Sequence, residues 1–248
     1  MGGADPDMPI QFFTTPGNTC PYAARTFIVL KELGMTFDMR EVSGRPKPDW
    51  YLNTINPRGK VPAIQVPALD NEVVYESGIC CEFLCDYSSA GDVLNYNPTE
   101  LIPDDAVGRA RMRLLNDHCD NVFTKTQFTF LMNKNETKDA ESSLDMEEAL
   151  LAFERALEKS GGPFLLGKAF TLSDVHLLPF MQRLVVSLRH FKSYELPLDK
   201  FPRLLAWFEL CSHRESVKGA ALTEEKIIEL YSMFVNMDYK FGGLNANK

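Results

Sequence analysis

No apolar run in this chain approaches the ~20 residues that a helix needs to cross a bilayer. Met1 to Pro9 has no basic region followed by an apolar core, so it does not read as a secretory leader. Pro6 stands where a myristoylation site needs Ser or Thr, and no stable membrane span is expected. Basic charge is in deficit as well. With 26 Lys and Arg against 34 Asp and Glu, the formal charge is −8 and the pI is near 5.1, which argues against nucleic acid as the main ligand. The six cysteines (20, 80, 81, 85, 119 and 211) lack paired metal-ligand spacing and form no small disulfide scaffold. Cys81 and Cys85 can share a helix face, but no histidine lies near them in sequence, so no metal is expected. His118, His176, His190 and His213 show neither triad nor metal spacing and read as structural or surface residues. Reduced thiols fit a cytoplasmic protein. Without secretion, the Asn135-Glu136-Thr137 sequon carries little weight. No internal repeat or low-complexity segment is evident.

What is present is an ordinary globular composition, 45% hydrophobic and 24% charged over 248 residues, enough for one large domain or two modest ones. Ile10 to Thr14 reads as a strand, and Pro21 to Leu33 as a helix closed by Gly34. Phe37 to Val42 alternates only loosely but suits a second strand. Gly44 to Trp50, with two prolines, reads mostly as loop, and Asn56 to Gly59 as a turn. Val61 to Val66 and Val73 to Tyr75 are short strands, and Glu76-Ser77 opens a helical pattern with Ile79, Phe83, Leu84 and Tyr87. From Ala106 the pattern is helical throughout. Ala106 to Met132 can be one long helix, and Met146, Ala149, Leu150, Phe153 and Leu157 mark another, ended by Gly161. Thr171 and Asp174 form a capping box with Phe170 and Val175 as its staple; Pro179 stands inside that helix. Pro202 and Thr223 open two more. The expected fold is α/β plus all-α: a thioredoxin-like domain of βαβ-ββα order at 1–92, a linker at 93–104, and an all-helical domain at 105–248.

The stretch with most chemistry is Cys20-Pro21-Tyr22-Ala23. Pro21 suits the first helical position, which puts Cys20 at the N-cap, facing N–H groups and the positive end of the helix dipole. A thiol there ionises more readily than a free one, and the thiolate is the nucleophile. The motif resembles the Cys-Pro-Tyr-Cys of glutaredoxins with Ala23 in place of the second cysteine. Cys20 can therefore attack a mixed disulfide, but an outside thiol must resolve the product.

Four separated pieces then fall in order: Cys20 to Ala23, Lys47-Pro48-Asp49-Trp50, Gly59-Lys60-Val61-Pro62 and Tyr75-Glu76-Ser77. With Leu101 to Asp105, the Thr171–Asp174 cap and Glu229-Leu230-Tyr231, they make the chain similar to the glutathione transferases, and among those to the omega class. The resemblance implies a glutathione site with Cys20 as its nucleophile. Tyr22 and Lys60 belong to that site, and Lys47 faces the glycyl carboxylate. Val61, before a cis Pro62, pairs with the cysteinyl backbone. Glu76 takes the γ-glutamyl ammonium, and Ser77 takes its carboxylate at a helix N-terminus. Met112, Asn116, Phe123, Tyr231 and Phe234 are the candidates to line a pocket for a second substrate. The pattern near Glu229 is shorter than the usual omega one and lacks a tryptophan.

The activity implied is glutathione-dependent thiol transfer, dehydroascorbate reduction and deglutathionylation by a homodimer, on small electrophilic, oxidised or glutathionylated substrates. Two rivals stand beside it: a conjugating transferase using Thr14, Thr15 or Tyr22, and a non-enzymatic binding or channel-like relative. Lys47, Val61, Glu76 and Ser77, all present together, favour an enzyme.

Overall fold

The computed structural model describes residues 8–89 and 101–236. Strand β1 (Ile10–Thr14) occupies the middle of a four-stranded sheet, order β2-β1-β3-β4, and its two phenylalanines divide the sheet's faces. Successive strand residues point to opposite sides. Phe12 meets Phe27 of helix α1 (Pro21–Glu32) with ring centroids 6.4 Å apart, whereas Phe13 meets Tyr51 of helix α2 (Asp49–Thr54) at 5.8 Å. Both phenylalanines are buried, which is why β1 carries two adjacent apolar residues rather than a strict alternation.

Strand β2 (Phe37–Glu41) runs parallel to β1, Ile10 opposite Phe37, while β3 (Ala63–Val66) and β4 (Glu72–Tyr75) are antiparallel additions. β2 is an edge strand whose last four residues are exposed, which accounts for its loose alternation. Helix α3 (Ser77–Ser89) packs beside α1. Gly34 ends α1 at φ 67°, with its N–H on the Lys31 carbonyl and that of Met35 on Leu30, the paired bonds of a Schellman turn. Gly44 to Pro48 is loop, as the two prolines suggested, and the short helix α2 takes up the last two residues of that stretch and runs on to Thr54. It starts directly after Pro48, and Asp49 gives its first turn a negative charge.

The helical part begins with α4 (Ala106–His118), capped by Asp105, whose carboxylate accepts from the N–H groups of Val107 and Gly108. The helical backbone continues through a π turn at Cys119–Phe123 into α5 (Thr124–Met132), so the long helix is one backbone run with one widened turn. Thr124 Oγ1 donates to the Cys119 carbonyl at 2.7 Å within that turn. Helix α6 (Asp139–Ser160) ends at Gly161, φ 64°. Helix α7 (Leu172–Lys192) continues through Pro179. Helices α8 (Pro202–Ser212), α9 (Glu215–Ala220) and α10 (Glu224–Asn236) follow, and Thr223 Oγ1 accepts from the Lys226 N–H to cap the last. No strand occurs beyond β4 among the described residues.

The chain divides into two compact units. One is Met1–Ile102 together with Arg214–Ala221; the other is Pro103–His213 together with Leu222–Lys248. The division is not a single cut: α9, near the end of the chain, packs on α1 in the first unit. Glu32 of α1 holds it there, accepting from Arg214 Nε at 2.9 Å and Nη2 at 2.6 Å and from the Ser216 hydroxyl. Gly219 meets the Phe27 ring so closely that a Cβ would lie 3.1 Å from it. The expected boundary at 92 and most of the expected linker, 93–100, lie outside the described residues.

Candidate active site

Cys20 stands at the N-cap of α1, with extended φ −74° and ψ 122°, and Pro21 is the first helical residue. The N-cap position is as the sequence suggested, and the sulfur makes no capping hydrogen bond to the helix. The turn before it supplies the closure instead: Thr15 Oγ1 accepts the Cys20 N–H at 3.0 Å and shares a hydrogen bond with Thr19 Oγ1. The Cys20 thiol lies 3.9 Å from the Val61 carbonyl oxygen and is half-buried. Ala23 is wholly buried and offers no second sulfur.

Val61–Pro62 is cis. The turn feeding it, legible in the sequence as a turn, is built by two buried residues to which the sequence assigned no site role, Tyr51 and Asn56. Asn56 Nδ2 and the Tyr51 hydroxyl both donate to the Lys60 carbonyl, at 2.8 and 2.7 Å, and Asn56 Oδ1 accepts the Arg58 N–H at 2.9 Å. Lys60 thus takes part through its backbone while its side chain is exposed. An Asn-Pro-x-Gly turn was the available signal for Asn56, since Asn side chains commonly bond backbone two residues on.

Lys47 donates to the Val42 carbonyl. Burial holds its ammonium below the ordinary value, with the Arg45 charge adding to the effect, and a Cys20 thiolate pulls in the opposite direction.

Glu76 and Ser77 sit where β4 passes into α3. Glu76 has φ +72°, uncommon for a residue with a side chain, and its Oε1 accepts from Arg58 Nη1 at 2.6 Å. Arg58 also lies over the Tyr75 ring. Ser77 is buried, and its Oγ accepts from Arg25 Nη1 at 3.3 Å; the Arg25 guanidinium in turn lies over the Tyr22 ring at 5.1 Å. The structure therefore brings Cys20, Tyr22, Lys47, Lys60, Val61, Pro62, Glu76 and Ser77 into the first unit.

Met112, Asn116, Phe123, Tyr231 and Phe234 belong to the second unit. Met112 is fully buried, and its carbonyl accepts from the Ser173 hydroxyl at 3.2 Å. Phe123 is equally buried and stands edge-on to Phe153 of α6 at 5.6 Å. These two are core residues of the helical unit. Tyr231 meets both Phe128 and Phe234, and Asn116 keeps a buried Oδ1 without a hydrogen-bond partner among the described residues. No group of three or more His, Cys, Asp or Glu that could hold a metal occurs among the described residues. No helix there is long and apolar enough to cross a membrane.

A thioredoxin-like α/β unit, carrying a cysteine at its first helix and a cis proline before its third strand, followed among the described residues by helices without a further strand, defines the class. The sequence matches two family models, "Glutathione S-transferase, N-terminal domain" over residues 19–87 and "Glutathione S-transferase, C-terminal domain" over 118–220. The chain belongs to the glutathione S-transferase family, whose co-substrate is glutathione. Among similar proteins, "Probable glutathione S-transferase DHAR1, cytosolic" of Oryza sativa subsp. japonica is 27% identical, covering 88% of this chain and 91% of that one. "Glutathione S-transferase omega-2" of Homo sapiens is 31% identical, covering 67% and 64%. Among solved structures, glutathione transferase Omega 3C from Trametes versicolor has a TM-score of 0.78 at 27% identity, covering 95% and 94%.

Proposed function

We propose that this protein is an omega-like glutathione transferase acting mainly as a thiol transferase, dehydroascorbate reductase and deglutathionylating enzyme through Cys20 alone. The observation that carries the reading is the Cys20 thiol at the start of α1, 3.9 Å from the carbonyl of Val61, which precedes the cis Pro62. The Cys20 thiolate attacks the glutathione sulfur of a mixed disulfide, forming Cys20–S–SG and releasing the other thiolate, which takes up a proton. A second glutathione thiolate then attacks the glutathione sulfur of that adduct, releasing oxidised glutathione and regenerating Cys20. With dehydroascorbate, two glutathiones supply the two electrons and two protons overall. Lys47, Val61, Glu76 and Ser77 hold glutathione in the roles set out above.

Two of the three rival hydroxyls, those of Thr14 and Thr15, are already engaged. Thr14 is buried and donates to Asn18 Oδ1 at 2.7 Å, and Thr15 accepts from the Cys20 backbone. A homodimer working in the cytoplasm is part of the same proposal, by family resemblance. The test is Cys20→Ala, which is expected to lose mixed-disulfide and dehydroascorbate reduction while still binding glutathione. Wild type treated with oxidised glutathione should gain roughly 305 Da at Cys20. Full reductase activity in Cys20→Ala would refute the mechanism.

A further inference from the structure

Arg25 is the fifth residue of α1 and is wholly buried, an unusual place for a permanent charge. Its Nη1 lies 3.3 Å from Ser77 Oγ, and its guanidinium lies over the Tyr22 ring. A guanidinium can only donate. In this bond Ser77 Oγ must therefore accept, and the serine's own O–H is turned away from Arg25. Ser77 opens the 13-residue helix α3, whose first N–H groups and dipole already favour an anion.

We infer that Arg25 is a positioning residue for glutathione: it fixes the Ser77 hydroxyl as a donor toward the γ-glutamyl carboxylate and sets a permanent positive charge behind it. The inference rests on the proposed glutathione site and adds to it a residue that touches Ser77 rather than the substrate. It makes a specific demand. Arg25 matters to the carboxylate of the γ-glutamyl group and not to the rest of the ligand. Part of its effect passes through the Ser77 hydroxyl, so Arg25 and Ser77 are coupled and their losses do not fully add.

The experiment is equilibrium binding of glutathione, and of an analogue lacking the γ-glutamyl α-carboxylate, to wild type, Ser77→Ala, Arg25→Met, Arg25→Lys and the Arg25→Met/Ser77→Ala double variant. Thermal unfolding of each unliganded protein is recorded alongside. A hydrogen bond to a charged group predicts that Arg25→Met weakens glutathione by about tenfold or more, with the analogue held within about twofold. Ser77→Ala should then cost less in the Arg25→Met background than in wild type. Arg25→Lys, which keeps the charge without the planar fork, should fall between wild type and Arg25→Met for glutathione alone. Should Arg25→Met fail to fold, Arg25→Lys carries the same comparison of the two ligands. Equal losses for both ligands, or additive losses, would overturn the inference and leave Arg25 a packing residue. A wild type that binds neither ligand would instead refute the glutathione reading beneath it. A wild type that prefers glutathione, with Arg25 variants keeping that preference in full, would refute only the role of Arg25.

Discussion

Removing the Asp174 side chain tests how the helical unit is held together. Asp174 has no exposed surface, and its carboxylate takes four donors. Oδ1 accepts from the Leu165 N–H at 3.0 Å and the Trp207 indole at 2.8 Å, while Oδ2 accepts from the Thr171 N–H at 2.8 Å and the Thr171 hydroxyl at 3.0 Å. One carboxylate thus ties the loop before α7, the first turn of α7 and the body of α8. If it served only as the N3 partner of a capping box, its loss would cost what a cap costs, about 0.5–2 kcal/mol. As a hub its loss orphans four donors. The Thr171 hydroxyl can rotate to another acceptor, but the two N–H groups and the indole cannot.

At about 1–3 kcal/mol for each buried donor left unsatisfied, three stranded donors give a loss of at least ~3 kcal/mol for Asp174→Ala. Against a typical stability of about 5–15 kcal/mol, that is a large fraction. Asp174→Asn keeps one acceptor oxygen and sets an NH2 group against two donors, so its cost should fall between the cap value and that of Ala. The assay is urea unfolding followed by tryptophan fluorescence. The chain has two tryptophans; Trp50 is 51% exposed and Trp207 is buried against Asp174, so Trp50→Phe leaves Trp207 as the reporter of its own unit. A loss for Asp174→Ala within the cap range, below ~2 kcal/mol, would refute the hub and leave only the capping box.

Burial raises the Asp174 carboxyl above its ordinary value of 3.8, so within that window the native state keeps a proton that the unfolded chain gives up. Stability from this group therefore falls as pH rises through the window, and the margin of wild type over Asp174→Asn should narrow from acid toward neutral pH, as urea midpoints will read. Glu154 of α6 accepts from the Arg203 and Leu204 N–H groups at the start of α8, at 3.2 and 2.8 Å, so Glu154→Ala should cost about 2 kcal/mol or more by the same assay. A double-mutant cycle on Glu32 and Arg214, a bidentate pair with Glu32 mostly buried, should give a coupling above the ~1 kcal/mol of an exposed pair. Iodoacetamide followed by peptide mass analysis should label Cys20 first and be slowed by glutathione; Cys80 and Cys85, buried and with thiols pushed up by that burial, should label only on unfolding.

By itself the sequence determined whatever depends on neighbours a few residues apart. Pro21 put Cys20 at the start of a helix because proline lacks only an N–H that a first helical residue does not use. Gly34 and Gly161 marked helix ends because a left-handed residue there costs glycine little. Thr171 and Asp174, three residues apart, announced a cap, and the apolar spacing from Met146 to Leu157 announced a buried face.

Only the tertiary structure decided who stands opposite. The donors that complete Asp174, Leu165 and Trp207, come from separate segments, and neither residue type signals such a role. Glu32 and Arg214 are 182 residues apart, so no local pattern links them, yet they hold α9 in the first unit. Met112 and Phe123 show why aromatic and apolar spacing is ambiguous: periodicity says that a face is buried, not whether protein or ligand covers it. Both turned out to be covered by the helical unit's own core. Arg25 read as one more helix residue until the fold put its guanidinium against Ser77. Local covalent geometry acts over a few residues and can be read along the chain, whereas burial and hydrogen-bond partnership depend on which surfaces meet, and that is settled only when the chain folds.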